Sequence, residues 1–182
     1  KDDERFYYPN TDEGRLAYIA DATADINRIK EQLPNYFGIL PKADLVVKRV
    51  EAFREQDGAA QHYYPGTPDG SRPGTYYAHL SDMTSMPKRE LEVIAYHEGI
   101  PGHHMQIAIA QELDALPKFR TLGGHTAFIE GWALYAEEIP KELGLYTDPY
   151  KEFGQLGMEI FRAARLVVDT GIHAKQWDRE QA

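Results

Sequence analysis

The sequence predicts an α+β fold, mainly α-helical, with a small three-stranded antiparallel sheet set before a central pair of helices. Three observations predict it. Apolar residues recur at helical spacing over long stretches, three short runs are rich in β-branched and aromatic residues, and helix stop and start signals cluster in mid-chain. With 182 residues and 42% hydrophobic content, the chain has core for a single domain over 1–182 rather than for two.

Residues 11–33 read as the first helix, because Leu16, Ile19, Ala20, Ile26, Ile29 and Leu33 share helical spacing and Pro34 ends the run. Leu45 to Phe53 alternates β-branched and charged side chains, as a half-buried strand does. His62 to Tyr64 and Thr75 to Leu80 form two further strands across a Pro/Gly stretch, so the sheet occupies residues 45–80. Thr75 to Leu80 is also a candidate edge strand for an extended peptide. The tyrosines at 63, 64, 76 and 77 are most simply cross-strand packing. Ser85 and Pro87 then open a long helix through Leu91, Ile94 and His97 towards Leu113, broken at Pro101 and Gly102. Another helix begins near Thr126 and runs through Trp132 and Tyr135, read as core, to about Ile139, so this central pair spans residues 86–140. The last helix, residues 149–170, has Asp148 as N-cap, Pro149 as first residue and Gly171 as terminator.

A formal net charge of −9 argues against nucleic acid as a partner, since phosphate binding needs a basic face. Cysteine is absent, so metal ligands must be His, Asp or Glu. No stretch approaches the roughly 18 apolar residues of a membrane span. The first ten residues are charged and aromatic, unlike a signal peptide; periplasmic or extracytoplasmic placement would need a signal sequence elsewhere. Asp178 to Gln181 spells a D-x-x-Q capping box and Lys1 is not an initiator Met, so the chain reads as a fragment of a longer protein. Oligomeric state is not legible.

The chemistry concentrates in H-E-G-I-P-G-H-H, His97 to His104, followed by F-I-E-G-W-A-L-Y-A-E, Phe128 to Glu137. In the usual zinc peptidase signature two histidines four apart project from one helix face, with a Glu between them to deprotonate water. Here Pro101 occupies the fourth position. In an unbroken helix His103 would stand about 9 Å along the axis from His97 and roughly 120° around it, unable to share an ion. Pro101 and the flanking Gly99 and Gly102 make a bulge that absorbs two residues physically reasonable, which would return His103 to a shared face. His104, seven residues on and back on the same stripe but about 10.5 Å away, is the alternative.

These residues resemble the bacterial family called domain of unknown function 885 (DUF885), whose members look like gluzincin-type zinc metallopeptidases. The likeness extends to R-P-G-T-Y-Y at Arg72 to Tyr77 and R-L-V-V-D-T-G-I-H at Arg165 to His173. It implies zincin-like active-site helices, and a catalytic fragment that need not be active by itself. A more distant similarity is to the thimet oligopeptidase and oligoendopeptidase F group, whose H-E-x-G-H motif aligns its last His with His103 and whose acidic pair seven residues apart aligns with Glu130 and Glu137.

The expected site is therefore Zn2+ held by His97, His103 and Glu130, with Glu98 as general base and Glu137 orienting a ligand histidine from behind. His173 is the candidate oxyanion donor, with Arg162, Arg165, Tyr76 and Tyr77 as further donors or substrate-binding groups. The arginines could equally pair with Glu159 or Asp169 at helical spacing. His62, His79 and His125 read as surface or satisfied core residues. The expected activity is hydrolysis of peptide or peptide-like amide bonds. The alternative is a metal-binding or structural module without turnover.

Overall fold

The computed structural model describes Asp3 and residues 5–182, and Lys1 lies outside them. The first helix, α1 (Asp12–Gln32), starts where the Thr11 hydroxyl accepts the Gly14 N–H at 3.2 Å, with Asp12 and Glu13 in its first turn and Lys30 in its last, both matched to the helix dipole. Tyr18, Ala22, Ile26 and Ile29 form its buried face. Pro34 sits in a 3₁₀ turn, Leu33–Asn35, that closes it.

Three strands follow: β1 (Leu45–Arg49), β2 (His62–Tyr64) and β3 (Gly74–Ala78), in the spatial order β1-β3-β2. The sheet is mixed rather than antiparallel, because β3 runs parallel to β1 and antiparallel to β2. Residues 50–73 carry the chain past the slot that β3 later fills, a crossover longer than the roughly one dozen residues a parallel pair needs. It follows that β3 is central and has no free edge for a peptide. The exposed edge on that side is β2. β1 is also shorter than the alternation implies: after Val50 the chain turns, with the Arg54 N–H donating to the Glu51 carbonyl at 2.7 Å.

The predicted long central helix is two helices, α2 (Lys88–Glu98) and α3 (His103–Gln111), joined by residues 99–102. A short α4 (Lys118–Thr121) leads to α5 (Thr126–Ala136), and Pro140 starts a further turn, α6 (Ile139–Glu142), instead of simply ending α5. α7 (Pro149–Lys175) begins with the Asp148 carboxylate accepting the Tyr150 N–H at 2.8 Å. It runs past Gly171 and ends at Gln176 in the left-handed region, φ 58°. Gly171 is not the terminator. The Trp177 N–H donates to its carbonyl at 3.0 Å and the indole folds over it, so close that a Cβ there would stand 2.1 Å from a ring carbon. Beyond it the capping box forms in both directions, with Asp178 and Gln181 exchanging bonds of 2.9 and 3.1 Å.

α7 is held against α1 and α2 by two devices. Gly154 meets the Arg89 carbonyl so closely that a Cβ would lie 1.8 Å from the oxygen, so only glycine permits the approach. Nearby, Lys151 reaches Asp25 at 3.1 Å and Glu92 at 2.9 Å, while Arg28 pairs with the same two carboxylates. Glu92 is fully buried and also accepts the Tyr96 hydroxyl at 2.6 Å, so its charge is compensated where it sits. Among the described residues no helix is long and apolar enough to cross a membrane.

Candidate metal centre

α2 stops at Glu98 because the chain turns sharply through residues 99–102, with the Ile100–Pro101 peptide cis. The Gly102 N–H donates to the Tyr96 carbonyl and the His104 N–H to the Gly99 carbonyl, both at 3.0 Å. Gly102 presses on the end of α2: a Cβ there would stand 1.9 Å from the His97 carbonyl oxygen. Trp132 of α5 braces the turn by donating its indole N–H to the Pro101 carbonyl at 2.8 Å. Gly102→Ala is therefore expected to destabilise the fold by about 3 kcal/mol, because backbone rather than a flexible side chain must give way. Equilibrium urea unfolding checks this, and an unchanged midpoint would mean that the turn yields freely.

The turn reverses the outcome of an unbroken helix. His97 and His103 meet with ring centroids 4.8 Å apart and planes at 86°. Glu130 of α5 joins them, its two oxygens 3.6 Å from His97 Nε2 and 3.8 Å from His103 Nε2, and one ligand atom from each residue lies within 4.8 Å of the others. Two ligand atoms about 2.1 Å from one tetrahedral ion stand roughly 3.4 Å apart, so this separation fits three groups around a single cation. Burial, then the neighbouring His97, holds His103 down to about 4, so it offers a neutral lone pair at neutral pH.

Behind His97 stands Glu137, seven residues beyond Glu130 and 1% exposed, with Oε1 at 2.7 Å from His97 Nδ1. A carboxylate oxygen can only accept, so Nδ1 carries the proton and Nε2 faces Glu130. Arg162 of α7 donates Nη2 to the same Glu137 oxygen at 2.7 Å. Its 3.3 Å approach to His97 Nδ1 is then the contact of two donors sharing an acceptor.

Glu98 is buried on the wall of a cavity of about 700 Å³ that also borders His97, His103, Glu130 and Tyr63. Burial first, and the Glu130 charge second, push its carboxyl up to about 8, while the Tyr63 backbone amide and Arg162 act the other way. A cation shared by the three ligands would oppose both causes of that rise.

Several expected participants lie elsewhere. His104 is fully buried, its Nε2–H donating to the Ala43 carbonyl and its Nδ1 accepting from the Tyr63 hydroxyl, both at 3.0 Å. Both nitrogens are engaged, and His104 is not among the three residues whose ligand atoms converge. Tyr76 is fully buried in the core, its hydroxyl 3.0 Å from that of Tyr18, and cannot touch a substrate. Tyr77 stacks on His62 at 5.4 Å and does not line the cavity. His173 is exposed on the last turns of α7, also away from the cavity wall, because eleven residues of helix carry it about 16 Å beyond Arg162. Arg165 does line the cavity, over the Phe161 ring at 5.9 Å. The groups missed from sequence are Tyr63, which serves Glu98 and His104 at once, and His62 and His79, which border the cavity. No local pattern distinguishes them from ordinary strand residues.

A family model described as a bacterial protein of unknown function (DUF885) matches residues 1–182. A crystal structure described as that of a "putative lipoprotein" from Colwellia psychrerythraea superposes with a TM-score of 0.93 at 41% identity, over 99% of this chain and 31% of that one. The chain thus spans 31% of that neighbour's length. None of the curated proteins matches it.

Proposed function

The chain belongs to the bacterial DUF885 family, and on that footing we propose that it carries the centre of a gluzincin-like, zinc-dependent peptidase. One observation carries the reading: His97, His103 and Glu130 bring their ligand atoms within 4.8 Å of one another, beside a buried carboxylate on a cavity wall. Imidazole and carboxylate ligands in a three-residue set with an open side suit catalytic zinc. Such an ion supplies Lewis acidity towards an amide carbonyl and acidifies a water. Glu98 is the group that takes a proton from the attacking water and returns it to the departing amide nitrogen. β2 borders the cavity through His62 and Tyr63 and is a sheet edge, so an extended peptide can lie along it. Arg165 is the cavity arginine left to meet a substrate carboxylate, since Arg162 is engaged by Glu137. The neighbour's description as a lipoprotein supports an extracytoplasmic location.

The test is metal-dependent cleavage. Metal-free protein given zinc is expected to hydrolyse a quenched fluorescent peptide library and to lose that activity on chelation. Zinc at a hundred times its dissociation constant should also raise stability by about 2.7 kcal/mol, read as a shift in melting temperature. No uptake of zinc at excess would sink the reading.

A second reading, a metal-binding or structural module of a larger protein, draws on the 31% coverage of the neighbour and on Phe153, Leu156, Ile160 and Val167, which give α7 an exposed apolar face at helical spacing. It predicts zinc uptake by the 182-residue chain without cleavage, and cleavage by a polypeptide of the neighbour's length.

A further inference from the structure

We propose that Arg162 is a positioning residue of the metal centre, holding Glu137 in the orientation from which it aims His97 at the point shared with His103 and Glu130. This rests on the metal-binding part of the reading above and not on peptide cleavage. The Glu137 carboxylate is buried and uses one oxygen for two donors, His97 Nδ1 and Arg162 Nη2, each at 2.7 Å. Its other oxygen is buried with no hydrogen-bond partner. The terminal torsion of a glutamate is broad, so a carboxylate gripped only by the imidazole it is meant to orient would leave that ring loosely aimed. A second donor on the same oxygen removes the freedom.

Arg162 itself arrives aimed. Its Nη1 donates to the Met158 carbonyl one turn earlier at 3.2 Å, and α7 is fixed upstream by Lys151 and by the contact of Gly154 with Arg89. A planar guanidinium with both terminal nitrogens engaged is pre-organised in a way that a lysine ammonium is not. Removing it would also leave the Glu137 carboxylate buried with no cation beside it, a costlier state than the intact pair. An element that supplies no ligand thereby contributes to metal affinity: α7 acts on α2 through the end of α5.

Zinc affinity, measured by competition with a chromophoric chelator, tests this in the wild type, Arg162→Gln, Arg162→Lys, Glu137→Gln and the Arg162→Gln/Glu137→Gln double variant, with thermal unfolding of each metal-free form in parallel. Groups that orient a ligand histidine are worth about 10- to 100-fold in affinity, so Arg162→Gln is expected to bind zinc about tenfold more weakly or worse. Arg162→Lys should fall between it and the wild type, and Arg162→Gln should cost nothing further once Glu137 has become Gln. Unchanged affinity in Arg162→Gln, or an equal loss in both backgrounds, overturns the proposal. If metal-free Arg162→Gln does not fold, Arg162→Lys decides, and wild-type affinity there overturns it equally. Zinc binding by the wild type without peptide cleavage would remove the peptidase reading and leave this one standing.

Discussion

Glu98→Gln is expected to lower kcat/KM for peptide hydrolysis by about 10³-fold while zinc affinity stays close to that of the wild type. The amide is nearly isosteric with the carboxylate and its oxygen can still accept the Tyr63 backbone N–H, so the cavity wall keeps its shape. Only the ability to take a proton is lost. Glu98 is not one of the three groups whose atoms converge, which is why metal content should survive. Steady-state kinetics with metal analysis on the same preparation checks both halves. Undiminished turnover would remove Glu98 from the mechanism, and loss of zinc together with activity would recast it as part of the metal shell.

The second large effect separates two adjacent histidines. His103→Ala should weaken zinc binding by more than about 100-fold, since a ligand matters more than the groups that orient ligands. Its effect on folding should be the smaller of the two, because the side chain that bonds the His103 ring is Gln106 alone, whereas His104 is bonded at both nitrogens. His104→Phe should do the reverse. It leaves the Ala43 carbonyl and the Tyr63 hydroxyl without the partner each now meets at 3.0 Å, at a cost of about 1–3 kcal/mol for each group left buried and unpaired. Zinc affinity in the folded fraction should be retained. Isothermal titration and urea unfolding on both variants give the comparison, and zinc loss in His104→Phe with none in His103→Ala would exchange the two assignments. Burial and the nearby Lys30 hold the His104 ring down to about 4, against the pull of the Ala43 carbonyl. It is therefore neutral through the range of such measurements, and its pattern of one donated and one accepted bond does not change with pH there.

The contrast between these residues shows where sequence reading stops. His103 and His104 are neighbours with the same side chain, and spacing alone leaves both open as ligands. The turn at residues 99–102 gives them different surroundings. It aims one ring at Glu130 and the other into the seam between Ala43 and Tyr63, and the geometry of that turn depends on Trp132 and on backbone contacts made only in the folded chain. Arg162 is a similar case. Helical spacing offers it Glu159 as a partner, but the carboxylate it meets is Glu137, on another element. Tyr76 and Tyr77, adjacent on one strand, fall on opposite sides of the sheet, and neither reaches the cavity.

By itself the sequence determined the helices at 12–32, 126–136 and 149 onward, the positions of the three strands, and the residue types able to hold a metal. These follow from hydrogen bonds and side-chain periodicities that close within about four residues of chain, together with caps such as Thr11 and Asp148. Tertiary structure alone decided the mixed strand order, the edge role of β2, the turn that brings His103 to His97 and Glu130, and the Arg162–Glu137–His97 chain. Each of those includes a pairing between residues far apart in the chain, as of Leu45 with Gly74, Pro101 with Trp132, Arg162 with Glu137 and His97 with Glu137. Such pairings are fixed by which faces are buried together, and no local stretch of sequence carries that information.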